Sequence, residues 1–346
     1  MNAEDNLKVT VAVALYNNEG CINKCIDSIL CQSYTNLEII IVNDGSTDGS
    51  FHHISRYNDN RIIVVSKENG GLSSARQAAL SIATGDYICF IDADDYLNED
   101  YIKNMLYSLV NLKSDLCVCG TLFVNSDGEV NKKLSNAFAF SKDSDQCVNT
   151  EKDLASSFSN YSESFFMGDS WNKMYKLSFL KRNLLSFSMP KGFNGTDTLF
   201  NYKVLLCCPI ISYIKYIGYV HVSCSTSAVH RKNKQLQESF LEIERQLIGF
   251  NKNKGMKKQL SIIHYRFMLT AFQDAFLDFC AETNEVRKHF VPMIAKHKDF
   301  VKTFGLSSKP AVSNNITIFV FSFLLNVFPF FLPAFLRKRA RRMPNF

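Results

Sequence analysis

The stretch YICFIDADDYL, residues 87–97, passes from an apolar run straight into Asp92, Asp94 and Asp95. Three carboxylates within four positions repel one another, and the arrangement is unfavourable unless something positive sits between them. The run from Tyr87 to Ile91 has the near-continuous apolar character of a strand covered on both faces. Hard divalent cations prefer oxygen ligands, and Mg²⁺ or Mn²⁺ is commonly held by one or two carboxylates plus phosphate oxygens. Asp92 and Asp94 alternate along the chain, so both can flank one ion. The plainer alternative is that these acids cap a helix starting near Asn98 and face solvent.

Upstream of this stretch the same kind of strand recurs. KVTVAVAL (8–15), LEIIIV (37–42) and RIIVV (61–65) are apolar and rich in β-branched residues. Helical patterns separate them, at 20–33 with Ile22, Ile26, Ile29 and Leu30 in helical spacing, then near 48–58 and 72–83, and again from Glu99. This βαβα rhythm predicts an α/β fold with a doubly wound, mostly parallel, Rossmann-like sheet. A polar cluster follows each strand: Tyr16 to Asn18, NDGSTDGS (43–50), KENGGLSS (67–74), and Asp92 to Asp95. Ligands of open α/β sheets bind beyond the carboxyl ends of the strands, so the four loops predict one pocket.

Beyond residue 120 the pattern loosens. Residues 121–165 read as strand and loop. SWNKMYKLSFL (170–180) and IKYIGYVHVS (214–223) read as strand-rich elements around a helix near 197–207. From about 234 to 298 the periodicity is helical and amphipathic, with its aromatic residues read as packing. The expected division is a domain over 1–230, a helical appendage over 231–312 and a tail over 313–346.

The 346 residues are 46% hydrophobic, enough for a large core. Of the net charge of +6, five come from Arg337, Lys338, Arg339, Arg341 and Arg342, so the body is near neutral and does not read as a nucleic-acid binder. Eleven scattered cysteines without a CxxC pair suggest small buried hydrophobes in a reducing compartment, and MNAEDNLKV does not resemble a signal peptide. A cytoplasmic location follows as an expectation.

The loops have chemistry of their own. Asp44 can accept hydrogen bonds from a base or sugar, while Asp48 is better placed to cap the next helix. NGGLSSARQAAL makes a tight turn and then a helix with Arg76 one turn in, whose guanidinium could pair with phosphate if it faces the pocket and is otherwise solvated.

Taken together, VTVAVALYNNEGCINKCIDSILCQSYTNLEIIIVNDGSTDGS and ENGGLSSARQAALSIATGDYICFIDADDYL resemble the nucleotide-sugar-binding half of family 2 glycosyltransferases with the GT-A fold, of the bacterial surface-polysaccharide type. The resemblance is nearly unbroken from residue 9 to about 97 and continues through SWNKMYK and PKGFNGTDTLF to about 227. It implies that Ala14, Tyr16 and Asn17 line a nucleoside pocket, that Asp44 and Asn69 contact uracil or ribose, and that Arg76 lies near the base or diphosphate. Asp92, Ala93 and Asp94 form the DxD motif. Asp94 would ligate Mn²⁺ or Mg²⁺, and Asp92 would contact the ribose or hold the metal through water. Asp197 matches the general base of an inverting reaction, with Thr196 where the family commonly has Glu. Ala14 replaces the usual Pro of the first loop, and Asn43 replaces an Asp.

Some relatives supply a His to the metal, for which His221 and His230 are candidates beside the alternative of a structural role. Trp171 packs in the core or edges the acceptor site with Thr196. The implied reaction moves a sugar from a nucleotide-sugar, UDP-linked by default, to a hydroxyl of a glycan acceptor. A nucleotidyltransferase would carry a Gly-rich basic loop after the first strand, which YNNEGCIN is not, and a hydride-transferring enzyme would carry GxGxxG. A non-catalytic scaffold is the remaining alternative, against which Asp92, Asp94 and Asp197 stand intact.

ITIFVFSFLLNVFPFFLPAFL (316–336) is long enough to span a bilayer, but Pro329 and Pro333 interrupt it, and a single crossing would export RKRARR against the positive-inside rule. The tail is therefore expected to associate with the cytoplasmic face of the inner membrane, its basic cluster meeting anionic head groups. That placement suggests a polyprenyl-diphosphate-linked acceptor. The aromatic-rich appendage could serve a homodimer.

Overall fold

The computed structural model describes residues 6–134, 146–149, 169–207 and 210–223, with separate helical positions between 239 and 250. Contacts divide the chain into two units, 1–154 with 165–231, and 155–164 with 232–346. In the second unit the described positions are helical, and Arg245 pairs with Glu242 at 2.6 Å across one turn. Most of the expected appendage and all of the tail lie outside the described residues, as does His230. Among the described residues no helix is long and apolar enough to cross a membrane.

Among the described residues, the first unit is built on a ten-stranded sheet. Strand β1 (Val9–Leu15) lies between β2 (Leu37–Asn43) and β4 (Tyr87–Asp92), parallel to both, and β3 (Ile62–Ser66) adds in parallel outside β2. The register sets Ala14 level with Val42 on one side and Asp92 on the other, so the three strands end together. Chain order reverses at β1, and a crevice opens at such a point. Helices α1 (Ile22–Leu30), α2 (Ser50–Ile54), α3 (Leu72–Ile82) and α4 (Tyr101–Asn111) occupy the connections. The buried face of α1 is Ile22, Cys25, Ile26 and Ile29, spaced by three and four residues. It joins Val11, Val13 and Ile41 in one apolar cluster, and each isoleucine contributes about 1.5–3 kcal/mol on full burial.

Past β4 the sheet is mixed. The path continues through β9 (Lys173–Lys176), antiparallel to both β4 and β6 (Leu116–Asn125), then β10 (Ile210–Ser223), parallel to β6, and ends at the two-residue β5 (Tyr96–Leu97). Strands β7 (Val130–Leu134) and β8 (Gln146–Asn149) pair antiparallel with β6 and β10. The parallel sheet expected over residues 9–92 is thus present, and the later strands complete it with both orientations.

One local expectation changes and one alternative drops out. The segment 170–180 is strand only in its first half; its second half is α5 (Leu177–Arg182), where Leu177 and Leu180 bury one face and Lys181 and Arg182 complement the carbonyl end. The acids after β4 do not cap α4, which starts at Tyr101 with Asp100 in the cap position. The helix expected near 197–207 is α6 (Thr196–Cys207). Its position follows from aromatic packing, since Phe200 stacks on Phe187 at 4.0 Å and meets Phe90 of β4 at 6.0 Å edge to face. Three residues earlier on α6 stands Asp197, which this packing carries to the end of β4.

Candidate active site

The loops after β1 and β2 are knitted together. Asn17 accepts from the Thr47 amide at 2.8 Å, the Asn18 amide donates to Ser50 Oγ at 2.9 Å, and Glu19 accepts from the Gly49 amide at 2.6 Å. Asp48 does not cap α2, whose cap position is Gly49; from one residue earlier it accepts from the Ser50 amide and, between loops, from the Glu19 amide. Tyr16 stands 48% exposed.

Asp44 has a task the sequence did not signal. It is 2% exposed, and its carboxylate accepts from Lys67 Nζ at 2.6 Å and from the amides of Gly70 and Gly71 at 3.0 and 2.7 Å. This latch closes the loop after β3 onto the loop after β2. It requires glycine at 71, where φ is 84°, and at 45, where φ is 74° and a Cβ would come within 2.8 Å of the Asn69 amide. The Asn69 carbonyl accepts from Lys191 Nζ at 2.6 Å.

The acids after β4 take separate roles. Asp95 is buried, accepting from Tyr219 Oη at 2.6 Å and from the Val222 amide at 2.8 Å, while the Asp92 amide donates to the same Tyr219 oxygen at 3.3 Å. Antiparallel pairing of Tyr219 with Leu97 brings β10 back to this turn. Ala93 is buried between the acids. Burial, then the charge of Asp92, raises the pKa of both Asp94 and Asp95, with His221 and Arg76 pulling Asp94 the other way. The turn is therefore short of positive charge.

A divalent cation fits that deficit. Among the described residues no three His, Cys, Asp or Glu side chains form a metal-binding group. An ion here would be held by one or two carboxylates and by oxygens from its ligand, the usual arrangement for Mg²⁺. His221 lies with Nδ1 buried, without a hydrogen-bond partner and 3.9 Å from Asp95, its ring stacked on Phe123 at 5.1 Å.

Arg76 is not a solvated helix residue. It is 1% exposed and its guanidinium donates to Asp92 at 2.5 Å and to Asp197, leaving Nε buried without a partner. Asp197 also receives the Ser170 amide at 3.4 Å. Asp92, Arg76 and Asp197 thus form one cluster from three distant stretches of chain. Beside it lies a cavity of about 330 Å³, lined by residues 70–73, 190–198 and Asp169, so that Thr196 and Asp197 both face it. Trp171 is 6% exposed and packs on Tyr219 at 4.7 Å, which places it in the core.

Sequence reasoning missed Asp169 and Lys173. Lys173 is fully buried, donating to the Asp169 carbonyl and to Asn172 Oδ1 at 2.8 Å, and burial lowers its pKa to about 8 against the pull of Asp169. Burial raises Asp169 to about 6, opposed by Lys173 and His221. The available signal was a pair of opposite charges four residues apart, flanking Trp171 at the start of a strand-like segment.

Residues 10–173 match the model of Glycosyl transferase family 2. The EpsH protein of Bacillus subtilis (strain 168) is 31% identical over 268 residues, spanning 73% of this chain and 72% of that protein. Glycosyltransferase GlyA of Streptococcus pneumoniae serotype 4 is 30% identical over 269 residues, which span 76% of this chain and 37% of that longer protein. An Escherichia coli protein named UDP-Glc:alpha-D-GlcNAc-diphosphoundecaprenol beta-1,3-glucosyltransferase WfaP is 42% identical over 101 residues, 29% of this chain and 40% of its own length. Among solved structures, S. aureus TarS 1–349 in complex with UDP-GlcNAc superposes with a TM-score of 0.69 at 20% identity, over 96% of this chain and 88% of that one, a likeness of fold. With a matching family model and a relative aligned over most of both chains, this protein belongs to glycosyl transferase family 2.

Proposed function

We propose that the chain transfers a sugar from a UDP-sugar to a hydroxyl of a lipid-linked glycan acceptor in surface polysaccharide synthesis, with inversion at the anomeric carbon. The observation that carries this reading is the Arg76 bridge, which joins Asp92 of the acidic turn to Asp197 at the cavity. Asp94 and Asp92 would hold a divalent cation, with His221 as a further ligand through Nε2, since Nδ1 is turned toward Asp95. When bound, such an ion stabilises the negative charge that develops on a departing diphosphate. Ala14, Tyr16, Asn17 and Asn69 border the nucleoside site, and Asp44 shapes it by fixing the loop 67–71.

In the reaction, an acceptor hydroxyl attacks the anomeric carbon on the face opposite the diphosphate. The carbon–oxygen bond to the nucleotide breaks, and Asp197 takes the hydroxyl proton. Arg76 donates to one Asp197 oxygen, and the carboxylate keeps further lone pairs with which to accept the hydroxyl proton. The names of the WfaP and EpsH relatives support the sugar-transfer reading, and the former supports an acceptor on a diphospho-lipid. A tail at 313–346 lying on the cytoplasmic face of the membrane would bring the enzyme to it.

The test is calorimetric titration of UDP, GDP and dTDP, with and without Mn²⁺, into wild type and Asp94→Ala. UDP-glucose, UDP-galactose and UDP-N-acetylglucosamine are then assayed for transfer to a synthetic N-acetylglucosaminyl-diphospho-lipid. Metal-dependent UDP binding that Asp94→Ala abolishes is the expected result. Binding of none of the three nucleotides would sink the donor-site reading.

A further inference from the structure

Asp169 lines the cavity that Asp197 faces, and the charge of buried Lys173 is felt at its carboxylate. The structural bonds of this residue go to its main-chain oxygen, which accepts from Lys173 Nζ and from Asn201 Nδ2 at 2.9 Å. Among the described residues no hydrogen bond reaches the carboxylate itself. Its surroundings are costly for an anion, as its elevation to about 6 by burial indicates. The next residue donates its amide to Asp197 at 3.4 Å, so the chain at 169–170 runs alongside that acid. Asp169 and Asp197 thus both line the cavity, and Lys191, the one cation among its described lining residues, is tied to the Asn69 carbonyl.

Two acids in one small cavity select the chemistry of what enters. Asp197 is paired with Arg76, so the open acceptor of the cavity is Asp169: a phosphate would be repelled by it, and an apolar group would leave it desolvated without a hydrogen bond. A neutral polyhydroxyl ring offers what Asp169 lacks, because an ionised carboxylate only accepts and adjacent hydroxyls can donate to both its oxygens. A volume of about 330 Å³ is at the small end of ligand sites, the scale of a sugar ring.

We propose that Asp169 is a sugar-binding residue, its carboxylate accepting hydrogen bonds from hydroxyls of the ring that lies against Asp197. The proposal rests on the sugar-transfer reading above and adds the residue that selects the ring. The ring belongs to the donor or to the acceptor, and both present the same hydroxyl chemistry.

The full chain is titrated with UDP, UDP-glucose, UDP-galactose and UDP-N-acetylglucosamine in Mn²⁺. In parallel, the methyl glycosides of the same sugars are followed by saturation-transfer NMR. In wild type at least one UDP-sugar binds more tightly than UDP, or one glycoside binds. Asp169→Asn weakens that sugar-dependent binding about tenfold or more while leaving UDP within about twofold. Loss among UDP-sugars assigns the donor ring, and loss among glycosides assigns the acceptor ring. Asp169→Glu, which keeps the charge but shifts it by one methylene, weakens binding too and serves if the Asn variant does not fold. Unchanged sugar-dependent binding in both variants overturns the proposal and leaves the nucleotide-transfer reading intact, as does a wild type in which sugars add nothing to UDP and no glycoside binds. If UDP fails to bind wild type, the donor reading falls, and the glycoside arm still decides the role of Asp169.

Discussion

Arg76, one turn into α3, donates simultaneously to Asp92 at the end of β4 and to Asp197 in the first turn of α6. One buried guanidinium therefore holds the acidic turn and the cavity in a single arrangement. Replacing Arg76 by Met leaves two partly buried carboxylates facing each other without a cation. We expect a loss of about 3 kcal/mol in urea unfolding, part of which returns in the Arg76→Met/Asp197→Asn double variant. Equal stability of Arg76→Met and wild type would show that the bridge does not hold these elements.

Asp197→Asn keeps the size of the side chain but removes its basicity. Turnover should fall by about 10²–10⁴, while calorimetric UDP affinity stays within about threefold. A variant that retains wild-type turnover would exclude Asp197 as the proton acceptor.

Tyr219 Oη donates to Asp95 and accepts from the Asp92 amide, so one hydroxyl sets the shape of the acidic turn. Tyr219→Phe leaves buried Asp95 with one donor fewer, at a cost of about 1–3 kcal/mol. Metal-dependent UDP binding should weaken alongside it. Wild-type melting and wild-type UDP affinity in this variant would remove Tyr219 from the account.

Asp169 carries a pH signature. Its folded pKa, about 6, lies above the ordinary 3.8, so the native state binds this proton more tightly than the unfolded chain does. Its contribution to stability is therefore complete below the ordinary value and is lost as pH rises to about 6. Asp169→Asn, having nothing to ionise, should match wild type near pH 4 and exceed it at pH 7 in thermal melts. Higher stability combined with poorer sugar binding is the behaviour of a residue kept for its ligand. Lower stability at pH 7 would mark the carboxylate as structural.

Burial and like charge at Asp94 and Asp95 predict a cooperative response to metal and nucleotide. Mn²⁺ and UDP together, each well above its dissociation constant, should stabilise the protein by about 3 kcal/mol. Either alone should do much less, and EDTA should reverse the shift. Full stabilisation by UDP in EDTA would argue against a metal at the acidic turn.

Much of this protein is written locally. Continuous β-branched runs at 9–15, 37–43 and 87–92, with helical spacing between them, dictate a parallel sheet because each strand must bury both faces. The polar residues after each run mark the crevice before any coordinates are known, and Asp92, Asp94 and Asp197 are legible as acids at strand and helix ends. What the chain does with the rest depends on contacts between residues far apart in sequence. Arg76 reads either as a phosphate partner or as solvated, and its carboxylate partner appears only when Phe90, Phe187 and Phe200 pack α6 against β4 and bring Asp197 to its guanidinium. The bonds of Asp44 to the loop after β3 are invisible until that loop folds over it, and Asp169 has no meaning until residues 190–198 close a cavity around it. Backbone pattern is a property of neighbours along the chain. A charge is assigned its partner only when packing fixes distances, and that is settled by the tertiary fold.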